Sequence, residues 1–284
     1  MKNFKTLARI MAIGCYLAAP PLLFAESPAE PQEDEAENPV ATADAVAPGS
    51  IQEALAQLEL TGVSVNIEEW CVDVEASVSL TAGLLELVAC IKDSKEHESV
   101  VAVNAKPSQI HTALLLLNAK PGSPAMRKMI GAGDDAEWTD IQPRGGLVDV
   151  YLVIDMPEGK KEFPINRFIK KASDAYFLGR SVEHPDKKPE FYPTHTFMFT
   201  GSLLVEREKN QPRQYVADFS GNVISLVTFG DEMIATPEIH DDSNEALLWE
   251  VHGENLPEIG SPVKLRLRPQ RTEKPQAQGS TPTE

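Results

Sequence analysis

The sequence predicts an α+β domain built mainly on antiparallel β-sheet, with two embedded short helices. Three observations carry that prediction. Apolar and polar residues alternate through a series of short stretches, which is the period of a strand with one buried face. Two segments break the alternation with helix-start signals and helical spacing. Glycine, proline and charged residues gather between these stretches, where turns and loops belong.

Each element follows from its local pattern. In VEASVSL (74–80), Val74, Ala76, Val78 and Leu80 share one face. A second strand over 84–90 makes a hairpin with 72–80 through Thr81-Ala82-Gly83, with Leu80 opposite Leu84 and Val74 opposite Cys90. SVVAVN (99–104), LVDVYLVID (147–155), TFMFTGSLLVE (196–206) and VKLRLR (263–268) alternate in the same way. So does QYVADFSGNVISLVTF (214–229), where DFSGN reads as a tight turn with Gly221 at positive φ. ALLWEV (246–251) reads as one more strand. The first helix starts at Pro107, a residue suited to a first turn, and runs through PSQIHTALLLLN to a stop at Lys120-Pro121-Gly122. The second starts at Pro164 in FPINRFIKKA, and residues 123–146 and 179–195 read as long loops.

Around this single domain, spanning residues 51–269, the flanking segments read differently. Lys2, Lys5 and Arg9 precede an interrupted apolar run that ends at Ala25, the layout of a cleavable secretory signal. The apolar stretch continues past Cys15, which weighs against lipid attachment at that cysteine. Residues 26–50 hold seven acids, four prolines and no base, the composition of a disordered tether, and 270–284 read as a loose tail. No later stretch is long and apolar enough to span a bilayer. The expected setting is therefore outside the cytoplasm, in a periplasm or beyond. A net charge of −17, from 43 acids against 26 bases, argues against nucleic acid and anionic lipid as partners. A small molecule or an envelope protein remains. Export permits disulfides, but the hairpin register turns Cys71 and Cys90 to opposite faces, so a bridge needs a bulge and two buried thiols are the alternative.

LLELVACIKDSKEHESVVAVNAKPSQIHTALLLLNAKPGSPA (84–125) resembles the YdjY-like family of exported bacterial proteins, in particular its planctomycete-type stand-alone form. FTGS (199–202), YVADFSGNVISLVTF (215–229) and PEIGSPVKLRLRP (257–269) are similar to the same family. The family is essentially uncharacterised, so the resemblance implies an exported setting rather than a reaction. Some relatives carry a ferredoxin-like cysteine cluster. This chain has no C-x-x-C, and an iron–sulfur role has no support here.

Candidate chemistry centres on KEHES (95–99). Glu86, Lys95, His97 and Glu98 can converge as a general acid/base group or an anion-reading pocket, or else form an ion-pair cluster that fixes the start of a strand. On the first helix Ile110, Ala113, Leu114 and Leu117 form one apolar face, and His111 shares a narrow polar stripe with Asn118 beside it. That stripe meets water or lines a cleft, and turned inward it brings His111 toward His97. The spacing lacks a zinc pattern, and no metal or other cofactor is expected. PEIHDDSNE (237–245) is oxygen-rich but has no calcium-loop spacing. FTGS is not a nucleophile elbow, and no phosphate-binding glycine motif occurs. Two readings follow. One is a non-catalytic binding module with its ligand or partner around Glu86, Lys95, His97, Glu98 and His111. The other is a hydrolytic or redox accessory enzyme that uses Glu86, His97 and His111. A purely structural envelope protein is a third.

Overall fold

The alternating stretches do form strands, and eight of them close on themselves. The computed structural model describes residues 60–131, 136–172, 188–193, 196–240 and 248–271. In chain order come β1 (Val63–Asn66), β2 (Cys71–Val78), β3 (Leu87–Ile91), β4 (Ser99–Val103) and helix α1 (Pro107–Leu116). Next are β5 (Met126–Ile130), β6 (Glu137–Ile141), β7 (Gly146–Met156), β8 (Gly159–Pro164) and β9 (Ile169–Lys171). Then follow β10 (Phe197–Phe199), β11 (Leu204–Val205), β12 (Gln214–Tyr215) and the single-turn helix α2 (Ala217–Ser220). The last elements among the described residues are β13 (Asn222–Ser225), β14 (Ile234–Ala235), β15 (Trp249–Val251) and β16 (Pro262–Pro269).

The barrel runs β2, β16, β7, β10, β14, β13, β3, β4, and β4 returns to β2. One edge of β2 is shared between two neighbours. Val63–Asn66 lie opposite its first half, and Val101–Val103 lie opposite Ala76–Val78. Alternation fixes which side chains go in. Val72, Val74, Ala76 and Val78 of β2 meet Val263, Leu265 and Leu267 of β16 and Val148, Val150, Leu152 and Ile154 of β7 in one buried core. The interior is filled by these side chains, as in other eight-stranded barrels of this width. Asp73, Glu75, Lys264, Arg266 and Tyr151 take the intervening positions on the outer wall.

Several expectations are corrected. β2 and β3 are not a hairpin. β2 pairs with β1, β16 and β4, while β3 lies between β13 and β4, because β4 inserts at the edge of β2 that the hairpin would have used. The sheet is mainly antiparallel, but β3 with β4 and β13 with β14 are parallel. Cys71 and Cys90 are buried free thiols, and burial pushes each above its ordinary pKa. The turn at Pro164 winds only a 3-10 turn, Ile165–Phe168, before β-branched Ile169 opens β9. Within 123–146 the chain forms the β5–β6 ribbon, with Met129 opposite Trp138. The stretch 196–206 breaks at Gly201 and Ser202, and 214–229 breaks at α2, whose last turn ends on Gly221 at φ 85°.

α1 is placed by both of its ends. Its buried face is Ile110, Ala113, Leu114 and Leu117, the stripe read from the sequence. At the C-terminus Asn118 takes φ 56°, its N–H donates to Leu115 O (2.8 Å) and that of Ala119 donates to Leu114 O (3.1 Å). This is a Schellman closure with asparagine in the left-handed position. At the N-terminus the Asp218 carboxylate accepts from the Ser108 N–H (2.8 Å) and the Ser108 hydroxyl (2.7 Å). A carboxylate from α2 thus caps a helix more than a hundred residues away in the chain. Asp218→Ala should cost about 1–2 kcal/mol, the usual loss on removing a cap, and Asp218→Asn clearly less. Equal denaturation midpoints for wild type and Asp218→Ala would contradict this assignment.

Candidate functional site

His111 leaves α1 beside the buried stripe and packs into a nest of aromatic rings. Its ring meets Phe199 edge-on with centroids 4.7 Å apart and Tyr215 edge-on at 5.4 Å. His111 Nδ1 and the Tyr215 hydroxyl are hydrogen-bonded at 2.9 Å. Burial lowers the His111 pKa, opposed in part by a hydrogen bond toward the Gly201 backbone. Burial also pushes the Tyr215 phenol far above its ordinary value. At neutral pH the pair is an uncharged imidazole held by an uncharged phenol.

The backbone opposite is bent to make room. Gly201 and Ser202 are consecutive left-handed residues, with φ of 83° and 53°. A Cβ on Gly201 would stand 3.1 Å from His111 Cε1, so glycine is required by the dihedral and by the ring. Left-handed backbone at Ser202 costs about 1–2 kcal/mol. Local bonds hold it. The Gly201 and Ser202 N–H groups donate to Met233 O (2.9 Å) and Glu232 O (3.2 Å). The Ser202 hydroxyl donates to Asp231 O and accepts the Ala217 N–H. Beneath them Glu232 is a buried carboxyl whose pKa is raised by desolvation, an effect that backbone N–H donors oppose.

His111, Gly201, Ser202 and Tyr215 line a cleft of about 940 Å³ between α1, β11, β12 and α2. Its polar groups include His111, Tyr215, Ser123, Lys106 and Arg213, and Leu204 and Phe219 give it an apolar rim. That combination, a few fixed polar groups among apolar surface, is the composition of a small-molecule site. A smaller cleft of about 370 Å³ lies on the outer wall, lined among others by Glu75, Lys92, Asp155, Lys160 and Lys264. It holds no aromatic side chain, whereas the His111 cleft holds a hydrogen-bonded imidazole–phenol pair, so the His111 cleft is the better-built site.

The depressed pKa of His111 gives a pH signature. A native pKa below the unfolded value means that acid protonates the unfolded chain first. The contribution is whole above about pH 6.5 and fades as pH falls toward the native pKa. Between pH 7.5 and 5 wild type should therefore lose more thermal stability than His111→Gln. Other groups, the raised Glu232 included, are common to both proteins. Parallel melting curves against pH would refute it.

The other residues singled out in the sequence lie elsewhere. None of Glu86, Lys95, His97 and Glu98 lines this cleft. Glu86 donates its N–H to Glu98 O (3.1 Å), and its carbonyl accepts from Leu226 and Val227, joining the start of β4 to the end of β13. Lys95 Nζ sits 3.5 Å above the Phe229 ring, which packs on the small cluster of Leu87, Cys90 and Ala102. His97 is 78% exposed in its side chain and pairs with Glu98 at 3.5 Å. The KEHES turn thus brings Lys95 and Glu98 to one end of β4 and leaves His97 and His111 apart. Among the described residues, no three His, Cys, Asp or Glu side chains are grouped to hold a metal ion. His240 lies 3.9 Å from Glu238, and Asp241, Asp242 and Glu245 fall outside the described residues.

Tyr215, Arg213, Ser202 and Asp218 were not read as site residues. The available signal was the Gly201-Ser202 dipeptide inside a strand pattern, a mark of close backbone approach. No curated protein and no solved structure matches this chain. No helix among the described residues is long and apolar enough to cross a membrane. The YdjY domain family model matches residues 63–268, nearly the whole barrel with its added helices and ribbon, and the chain belongs to that family.

Proposed function

We propose that the protein is an exported, non-catalytic module that binds a small ligand in the His111–Tyr215 cleft. The basic and apolar pattern of residues 1–25 supports export. The observation that carries the binding role is the prebuilt His111–Tyr215 pair on the wall of the larger cleft, with Gly201 and Ser202 bent to admit it. Two features favour binding over catalysis. His111 Nδ1 is already held by a phenol that burial keeps protonated. Asp218, the one acid lining the cleft among the described residues, is hydrogen-bonded to Ser108, while the imidazole is held by a phenol and not by a carboxylate. The enzyme reading with Glu86, His97 and His111 draws less support, since Glu86 and His97 do not line the cleft that His111 lines.

The test is a thermal-shift screen of the full chain against small carboxylates, phosphates, amines, sugars and neutral aromatics. A ligand at a hundred times its Kd adds about 2.7 kcal/mol. That should raise Tm by roughly 5–10 °C for a chain of this size. His111→Gln and Tyr215→Phe should abolish the shift. A shift that survives both substitutions places the ligand elsewhere, and a screen without any shift refutes the reading.

A further inference from the structure

In a chain of net charge −17, the wall of this cleft reverses the sign. Its charged lining residues are Lys106, Arg213 and Asp218. Asp218 accepts two hydrogen bonds from Ser108 at the start of α1, and the two cations outnumber it. Lys106 and Arg213 form no ion pair within 4 Å among the described residues. A third cation, Arg207, stands 4.6 Å above the ring of Phe219, which is itself a lining residue. Arg213 directly precedes β12, and it lines the cleft together with Tyr215 of that strand. Lys106 stands on the other wall, directly before Pro107 of α1.

The apolar part is equally unusual. Leu204 is 59% exposed and Phe219 is 48% exposed, and both line the same cleft. Large side chains left in water beside unpaired cations describe the two ends of an amphiphile. We infer that the ligand carries an anionic head, bound between Lys106 and Arg213, on an apolar body that covers Leu204 and Phe219. The His111–Tyr215 pair then supplies neutral hydrogen bonds near the junction of head and body. The net negative charge of the chain opposes long-range attraction of anions, so recognition rests on short-range contacts to these two cations.

This inference rests on the binding role of the cleft, and the experiment separates the two. Titration calorimetry of the full chain uses decanoate, decyl phosphate, decanol and decyltrimethylammonium, each below its micellar concentration and at fixed ionic strength. Decanoate or decyl phosphate should bind at least tenfold tighter than decanol, and decyltrimethylammonium should not bind. The two anions distinguish a carboxylate from a phosphate head. Arg213→Gln and Lys106→Gln should each weaken the anion about tenfold and leave decanol unchanged. Decanol or the ammonium binding as tightly as the anions, with loss in Tyr215→Phe, would overturn the anionic head and keep the cleft as a binding site. Anion binding that Arg213→Gln and Lys106→Gln both leave intact also overturns it. No binding of any of the four overturns it too, and if the broader screen is also silent the binding role falls with it.

Discussion

Gly122→Ala is expected to be among the most destabilising single substitutions in the chain, at about 3 kcal/mol. The segment around it is sewn to the barrel wall. The Gly122 N–H donates to Phe199 O (3.0 Å), Ser123 and Arg144 exchange two hydrogen bonds (3.0 and 2.9 Å), and the Gly146 N–H donates to Lys120 O (2.8 Å). A Cβ on Gly122 would overlap the Arg144 carbonyl and reach within 2.6 Å of Gly145 N. Every one of those atoms is backbone, so no rotamer change relieves the overlap. Two of the hydrogen-bonded stitches must open instead. Tm should fall by roughly 6–12 °C. Because Gly122 and Ser123 line the cleft, the folded fraction should also bind ligand less tightly. A Gly122→Ala protein within about 0.5 kcal/mol of wild type by urea titration would show that the strands separate there easily.

The second large effect is expected at Arg266, whose guanidinium joins three parts of the outer wall. It donates to Asp73 through Nε (2.6 Å) and Nη2 (2.8 Å), and through Nη1 to Glu69 (2.9 Å) and Glu162 (2.8 Å). Arg268 adds a bond to Glu162 and lies over the ring of Tyr151. The Arg266 side chain is only 15% exposed and that of Asp73 only 12%. Arg266→Ala leaves a mostly buried carboxylate without its cation and should cost about 3 kcal/mol. Arg266→Lys keeps the charge but loses the two-pronged fit, and should cost roughly half as much. Adding Asp73→Ala to Arg266→Ala should recover part of the loss, since the orphaned charge goes with it. Strictly additive losses in that double-mutant cycle would rule out the pairing as the source of stability.

The sequence was most legible where one rule decided an element. Alternation placed β2, β7 and β16 and sorted their inward residues, because a strand with one face in the core admits no other register. The buried stripe of α1 was readable for the same reason, and family membership was readable from the 84–125 block. What stayed illegible was pairing. Nothing local to 72–90 says that β4 will take the edge of β2, since that choice depends on residues 99–103 competing with those that follow Gly83. The β5–β6 ribbon was hidden too. Its two strands are exposed almost throughout, so they lack a buried face and the alternation that goes with it. The cleft was half visible. His111 stood out as a histidine on an apolar helix, but its partner Tyr215 lies 104 residues further on, in a stretch that reads as plain strand.

The closure of the wall between β2 and β16 has a consequence for how the molecule comes into being. Asp73 and Arg266 touch across 193 residues of chain. A polypeptide made from its N-terminus cannot seal this cylinder until β16 has been synthesised. Until then the partly made chain has an open seam and keeps the pliability of an incomplete fold. Deleting residues 262–269 should therefore yield a protein that collapses without ever acquiring a sharp melting transition.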